Sequence, residues 1–121
     1  MYDHIGLKVK DLAASRAFYT ALLKPLGFVV DDGGTGFGPP GAPALWLYES
    51  KNAQKDSKGG GTHIAFTAKD RKAVAAFHAA GLKAGAKDNG APGLREDYSP
   101  TYYAGFLLDP DGNNVEAVCL D

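Results

Sequence analysis

His4-Ile5-Gly6-Leu7-Lys8-Val9-Lys10-Asp11 returns as His63-Ile64-Ala65-Phe66-Thr67-Ala68-Lys69-Asp70, displaced by 59 residues. Carried on to Ala21 and Ala80 without a gap, the two stretches are identical at 8 of 18 positions: histidine, isoleucine, lysine, aspartate, three alanines and phenylalanine. The chain therefore reads as two copies of one unit, each opening with a histidine on a strand. In 121 residues neither copy alone holds enough apolar surface for a secure core, so both are expected in one domain. The expected division is a first module over about 1–50, a linker over about 50–61 ending in three glycines, and a second module over about 62–121.

Working outward, Tyr2 to Val9 alternates as a strand, with Ile5, Leu7 and Val9 on one face and His4, Gly6 and Lys8 on the other. Asp11 is placed to cap a helix from Leu12 to Leu23, which Pro25 and Gly27 stop. Phe28 to Val30 begins a second strand, residues 33–43 read as a loop or hairpin, and Ala44 to Tyr48 is an apolar strand. The second module repeats the plan: a strand from Thr62 to Ala68, cap Asp70, and a helix from Arg71 to about Ala80 ended by Gly81. Ala86-Lys87 is expected as a short strand and residues 89–100 as a long loop. Tyr102 to Leu108 and Val115 to Leu120 are strands joined by the turn Asp109-Pro110-Asp111-Gly112. The fold class is α+β with an internal repeat.

A net charge of -1 without long runs of one sign argues against nucleic acid or an anionic membrane as partner. No stretch approaches the ~18 apolar residues of a membrane span. The beginning of the chain lacks the basic and apolar regions of a signal peptide. Cys119 is the single cysteine, so no internal disulfide can form, and a reducing cytoplasm is the expected compartment.

His4, His63 and Glu116 carry the chemical interest. Each lies on the strand face opposite Ile5/Leu7, Ile64/Phe66 and Val115/Ala117 respectively, among small residues such as Gly6 and Ala65. If helices cover one face of each sheet, these groups fall on the uncovered, concave face. Two neutral imidazoles and a carboxylate suit zinc, nickel, manganese, iron or cobalt, with positions left open for a substrate. Singly, each is the kind of residue that a fold also uses as a hydrogen-bonded or solvated group; the repeat relates the two histidines and raises them above that reading. Around them, Arg95, Tyr98 and Tyr102 offer a guanidinium and phenols for a polar or anionic ligand, and Lys8 shares parity with His4. Arg95 as a loop-fixing residue and Lys8 as a solvated one are the ordinary alternatives. His78 has no partner in the pattern and is expected at the surface.

The layout resembles the vicinal oxygen chelate superfamily, which includes glyoxalase I, bleomycin-resistance proteins, fosfomycin-resistance enzymes and extradiol dioxygenases. The resemblance rests on Asp3-His4-Ile5 with Lys10-Asp11 and Phe18-Tyr19, on Thr62-His63-Ile64-Ala65-Phe66, and above all on Phe106-Leu107-Leu108-Asp109-Pro110-Asp111-Gly112-Asn113-Asn114-Val115-Glu116. It implies two βαβββ modules curling into a cup-shaped, partly open barrel around a divalent metal, with His4, His63 and Glu116 as ligands. It also implies a homodimer, in many members with ligands from both chains, and points Phe106 into the cup.

One departure concerns the last strand of the first module, where glyoxalase I-like members carry a fourth ligand. Here it reads Ala44-Leu45-Trp46-Leu47-Tyr48-Glu49, and its phase is open. Either Trp46 and Tyr48 face the cup and line a substrate site, or Leu47 and Glu49 do and Glu49 reaches in as ligand or base. The run Leu45-Trp46-Leu47 resembles fosfomycin-resistance enzymes, but their phosphonate loop is not recognisable in this chain. Extradiol dioxygenases typically need four such modules. The implied function is a metal-dependent enzyme acting on a small oxygen-rich substrate by Lewis-acid catalysis, of isomerase, lyase or transferase class. The alternative is a metal-free cup that binds a small molecule or antibiotic, as bleomycin-resistance proteins do.

Overall fold

The computed structural model describes residues 1–51 and 62–121. The predicted linker lies almost wholly outside these residues. Strand β1 (Ile5–Val9) leads into helix α1 (Leu12–Leu23), followed by a 3-10 turn, β2 (Val29–Val30), β3 (Gly36–Gly38) and β4 (Leu45–Glu49). The second module gives β5 (His63–Thr67), α2 (Arg71–Lys83), β6 (Lys87–Leu94), β7 (Tyr103–Leu108) and β8 (Asn114–Cys119). Each module is a four-stranded mixed sheet, ordered β1-β4-β3-β2 and β5-β8-β7-β6. The first and last strands run parallel and the others antiparallel. The two βαβββ modules expected from the repeat are present, strand for strand.

The repeat also places the caps. Asp11 accepts from the Ala14 N–H at 3.0 Å and Asp70 from the Ala73 N–H at 2.8 Å, satisfying amides that a helix start leaves free. Helices α1 and α2 pack on each other and on their sheets. One core runs through both modules and includes Leu7, Phe18, Leu22, Leu47, Phe77 and Val115. Strand alternation puts Leu7, Val9, Leu45 and Leu47 into that core, leaving Gly6, Lys8, Trp46 and Tyr48 on the opposite, open face. In the second module Val115, Ala117 and Leu107 face the core, with His63, Ala65, Glu116 and Phe106 on the open face.

A lock joins the modules at the turn after β7. The Asp109 carboxylate accepts from the backbone N–H groups of Asp111 and Asn113, from the Asn113 side-chain amide and from the Tyr19 hydroxyl on α1. Asp111 accepts from the Lys10 N–H at 2.9 Å, between β1 and α1. Both aspartates are buried.

Three expectations are corrected. Gly81 does not end α2, which continues to Lys83 and turns off at Gly85 with φ 100. Gly81 instead lies buried where a Cβ would come 2.2 Å from Leu107 Cδ1, so it admits β7 closely to the helix. The first part of the stretch expected as loop, residues 89–94, belongs instead to β6, eight residues long with register shifts at Asp88/Gly90 and Gly90/Gly93; its glycines and Pro92 disguise a bulged strand, and only the part after Leu94 is loop. His78 is buried rather than at the surface, on the stripe Val74-Phe77-His78-Gly81, and its Nε2 lies 3.0 Å from Asp88 Oδ1.

Candidate metal and ligand site

β5 and β8 are parallel neighbours, with Ala65 opposite Glu116 and His63 opposite Asn114. This register puts His63 and Glu116 on one face, diagonal to each other, and His63 Nε2 lies 2.8 Å from Glu116 Oε1. The carboxylate is 1% exposed, whereas the imidazole is half open to solvent. The second carboxylate oxygen accepts from the Tyr102 hydroxyl. Burial, and then the bond to Glu116, push the Tyr102 phenol up to about 12, so it donates across the ordinary pH range. Among the described residues no lysine or arginine pairs with Glu116. A buried carboxylate whose partners are one imidazole and one phenol is further stabilised when a cation joins it. Nitrogen and carboxylate oxygen at contact distance, one of them solvent-accessible, form a donor set that fits a divalent ion of zinc or iron type.

The rest of the second module's open face converges on this pair. Phe106 pairs with Glu116 across the strands, and its ring centre lies 6.5 Å from that of His63. Tyr98 meets Tyr102 edge to face at 5.0 Å. The Arg95 guanidinium rests over Phe106, 5.2 Å from its centre, and donates to the Ala91 carbonyl at 2.7 Å. Tyr98, Tyr102, Phe106 and Arg95 thus form one surface with His63 and Glu116.

His4 does not join them within the chain. Its Nδ1 lies 2.6 Å from the exposed Asp3 carboxylate, and it borders an apolar cleft of ≈ 260 Å³ with Leu23, Phe28, Phe37, Leu45 and Phe66. Among the described residues no three histidine, cysteine, aspartate or glutamate side chains cluster to hold a metal. Lys8, Trp46 and Tyr48 occupy the first module's open face instead. The phase of β4 is therefore the one that turns Trp46 and Tyr48 outward: Trp46 lies over Gly36 and Tyr48 over Gly6, each where a Cβ would come to 2.7 Å. Glu49 is turned to the helix side, where its carboxylate accepts from the Leu12 N–H at 3.0 Å. It serves the start of α1, with its partial positive charge, rather than the open face.

The registers explain the missing carboxylate. Gly6 stands opposite Trp46 as its repeat counterpart Ala65 stands opposite Glu116. Trp46 occupies in the first module the place of Glu116 in the second. Two features escaped the sequence reading. The contact of buried His78 with the exposed Asp88 was hidden because the repeat places a tyrosine, Tyr19, where the second module has His78. The glycine bed beneath Arg95 carried a signal in the spacing of Gly90 and Gly93, but it fell in a stretch read as loop.

Among curated proteins the chain finds no match. Solved structures match it over nearly their whole length. A glyoxalase/bleomycin resistance protein from Albidiferax ferrireducens T118 is 32% identical, with 98% of this chain and 97% of that one covered, at a TM-score of 0.78. A putative glyoxalase from Bacillus halodurans is 26% identical over 98% and 94% of the two chains, at a TM-score of 0.69. A glyoxalase/bleomycin resistance protein/dioxygenase family enzyme from Burkholderia phytofirmans PsJN shares the fold at 19% identity, over 98% of each chain, with a TM-score of 0.73. The family model for this group matches residues 2–117, and the chain belongs to the Glyoxalase/Bleomycin resistance protein/Dioxygenase superfamily.

Proposed function

We propose that this protein is a metal-dependent enzyme of glyoxalase type, acting on a small oxygen-rich substrate. The observation that carries the reading is the His63–Glu116 pair, a buried carboxylate in contact with a half-exposed imidazole and without a lysine or arginine partner among the described residues. His63, Glu116 and a further histidine would hold a divalent ion, which would supply Lewis acidity to an oxygen-bearing substrate. Tyr102 holds the outer carboxylate oxygen and fixes the plane in which Glu116 presents the other. Tyr102 acts here as the donor that orients Glu116. Phe106, Tyr98 and Tyr102 give a flat substrate an aromatic wall and limit water on that side.

The third ligand is His4 of a second copy. β1 and β5 end their sheets, each paired on one side only among the described residues. An open edge of this kind is a ready place for a strand of another chain. A two-fold dimer that sets β1 of one copy beside β5 of the other would bring His4 to His63 and Glu116 twice, and Trp46, Tyr48 and Lys8 with it.

Metal uptake after reconstitution with Zn(II), Mn(II) or Co(II), measured by elemental analysis alongside sedimentation, tests the proposal. One ion per chain is expected, lost in His63→Ala and Glu116→Gln and weakened in His4→Ala, with dimers in solution. Equal uptake by the wild type and Glu116→Gln would defeat it. The aromatic surface would also serve a metal-free binder, and ligand affinities unchanged by His63→Ala and chelators would favour that function.

A further inference from the structure

The guanidinium of Arg95 is held in a prepared bed. A Cβ at Gly90, whose φ is 147, would come 3.2 Å from Arg95 Nη2 and 2.9 Å from Phe106 Cδ2. A Cβ at Gly93 would come 3.2 Å from Arg95 Nη1. Two glycines therefore leave the space in which the guanidinium lies, and the bulged register of β6 brings both of them there. Asp88 fixes the first by accepting from the Gly90 N–H at 2.9 Å, and the buried His78 holds Asp88 in turn. The guanidinium lies over the Phe106 ring, 5.2 Å from its centre, and the Ala91 carbonyl takes one N–H.

What this arrangement lacks is an anion. Arg95 has no aspartate or glutamate partner among the described residues, and the single bond to Ala91 leaves most of its five N–H donors unused. An arginine held over a ring and by one carbonyl, with most of its donors free, is suited to grip a planar oxyanion through two parallel bonds. Glu116, the carboxylate of that surface, is already engaged by His63 and Tyr102. Arg95 and His63 approach the same phenyl ring, at 5.2 and 6.5 Å from its centre.

We infer that the ligand of this surface is a carboxylate with a flat, unsaturated body. Its carboxylate is bound by Arg95, its body lies along Phe106 and the Tyr98–Tyr102 pair, and its other oxygens point to His63 and Glu116. Only the last of these contacts rests on the metal reading above. The glycines, Phe106 and the Asp88–His78 pair are positioning residues for Arg95.

Calorimetric titration with 3,4-dihydroxybenzoate and with the uncharged 3,4-dihydroxybenzamide separates the two ideas. Both probes have the same ring and the same pair of adjacent oxygens, and differ only in the carboxylate. Each is titrated anaerobically into metal-free and Zn(II)-loaded protein. The wild type should prefer the acid by on the order of tenfold, the difference expected of a charge-assisted paired contact. Arg95→Gln should abolish the preference by weakening the acid far more than the amide, and Arg95→Lys should restore part of it. Gly93→Ala, which displaces the guanidinium without removing it, should reduce the preference in the same direction. Equal affinities for acid and amide in the wild type would overturn the inference, as would equal losses for both in Arg95→Gln or no binding of the acid at millimolar concentration. A preference that persists while Zn(II) adds no affinity to either probe would sink the metal reading and leave the carboxylate assignment standing.

Discussion

The Tyr19 hydroxyl donates to the Asp109 carboxylate across 90 positions of sequence, and both groups are buried. The bond ties the helix of the first module to the turn that closes the second. Burial first, and then Asp109, raise the phenol well above its ordinary pKa, so it remains a donor throughout the working range. Tyr19→Phe leaves Asp109 Oδ2 with the Asn113 amide alone. Losing one partner of a buried carboxylate should cost about 1–3 kcal/mol. Urea denaturation reads this directly, and an unchanged midpoint would contradict it.

Asp111 should respond to pH in the opposite sense to most carboxylates. Desolvation raises its pKa, with Asp109 adding to the rise and the Lys10 N–H opposing it. A carboxyl whose folded pKa lies above the unfolded one binds protons more readily in the fold, so stability falls as pH rises from 3.8 towards the raised value. Asp111→Asn keeps an acceptor for Lys10 and removes the charge. It should melt higher than the wild type near pH 7 and show no such advantage near pH 3. A lower melting temperature near pH 7 would refute this.

Asp88 behaves in the ordinary sense. The Gly90 N–H, and then His78, hold its carboxyl below the usual value. Its stabilisation is present above 3.8 and is lost as pH falls through the lowered folded value. Asp88→Asn should be less stable than the wild type at neutral pH, with the two converging in strong acid. Thermal melts over an acid series would expose a constant gap, which this account forbids.

The close approach of α2 and β7 at Gly81 makes a packing prediction. Alanine gains about 1 kcal/mol of helix propensity over glycine, but its methyl group would collide with the buried Leu107 Cδ1. Overpacking of a full core typically costs about 1–3 kcal/mol. Gly81→Ala should therefore destabilise the protein, and Leu107→Val should recover part of the loss when combined with it. A double-mutant cycle that shows no coupling would remove the argument.

Glu49→Gln separates a helix-start role from a ligand role. The substitution should leave Zn(II) affinity unchanged and lower the melting temperature slightly, since a neutral amide complements the α1 terminus less well. Weakened metal binding with no change in melting temperature would return Glu49 to the site.

The identical positions of the repeat carried most of the fold. They are the residues that cap, start and bury: Asp11 and Asp70, Ile5 and Ile64, Phe18 and Phe77. Period-two alternation sufficed to put His63 and Glu116 on one face, because parallel pairing of β5 and β8 fixes their register. It could not fix β4, whose alternating Leu45-Trp46-Leu47-Tyr48 is apolar on both faces; packing of Leu45 and Leu47 into the core decided it. β6 was illegible for a different reason. Its glycines and proline argue against a strand locally, and only pairing with β7 overrides them. That His4 stands apart from His63 and Glu116 depends on how modules pack, which strand periodicity does not encode.

The exchange of Glu116 for Trp46 between equivalent frames has an evolutionary meaning. Duplicating a strand pair creates two equivalent seats. Here one holds Glu116 beside Ala65, and the other holds Trp46 beside Gly6, an aromatic surface instead of a charge. A single codon position therefore separates a centre with one acid from a centre with two, on an otherwise unchanged scaffold. Diversification of such proteins can proceed seat by seat, leaving the caps and the core of the duplicated unit untouched.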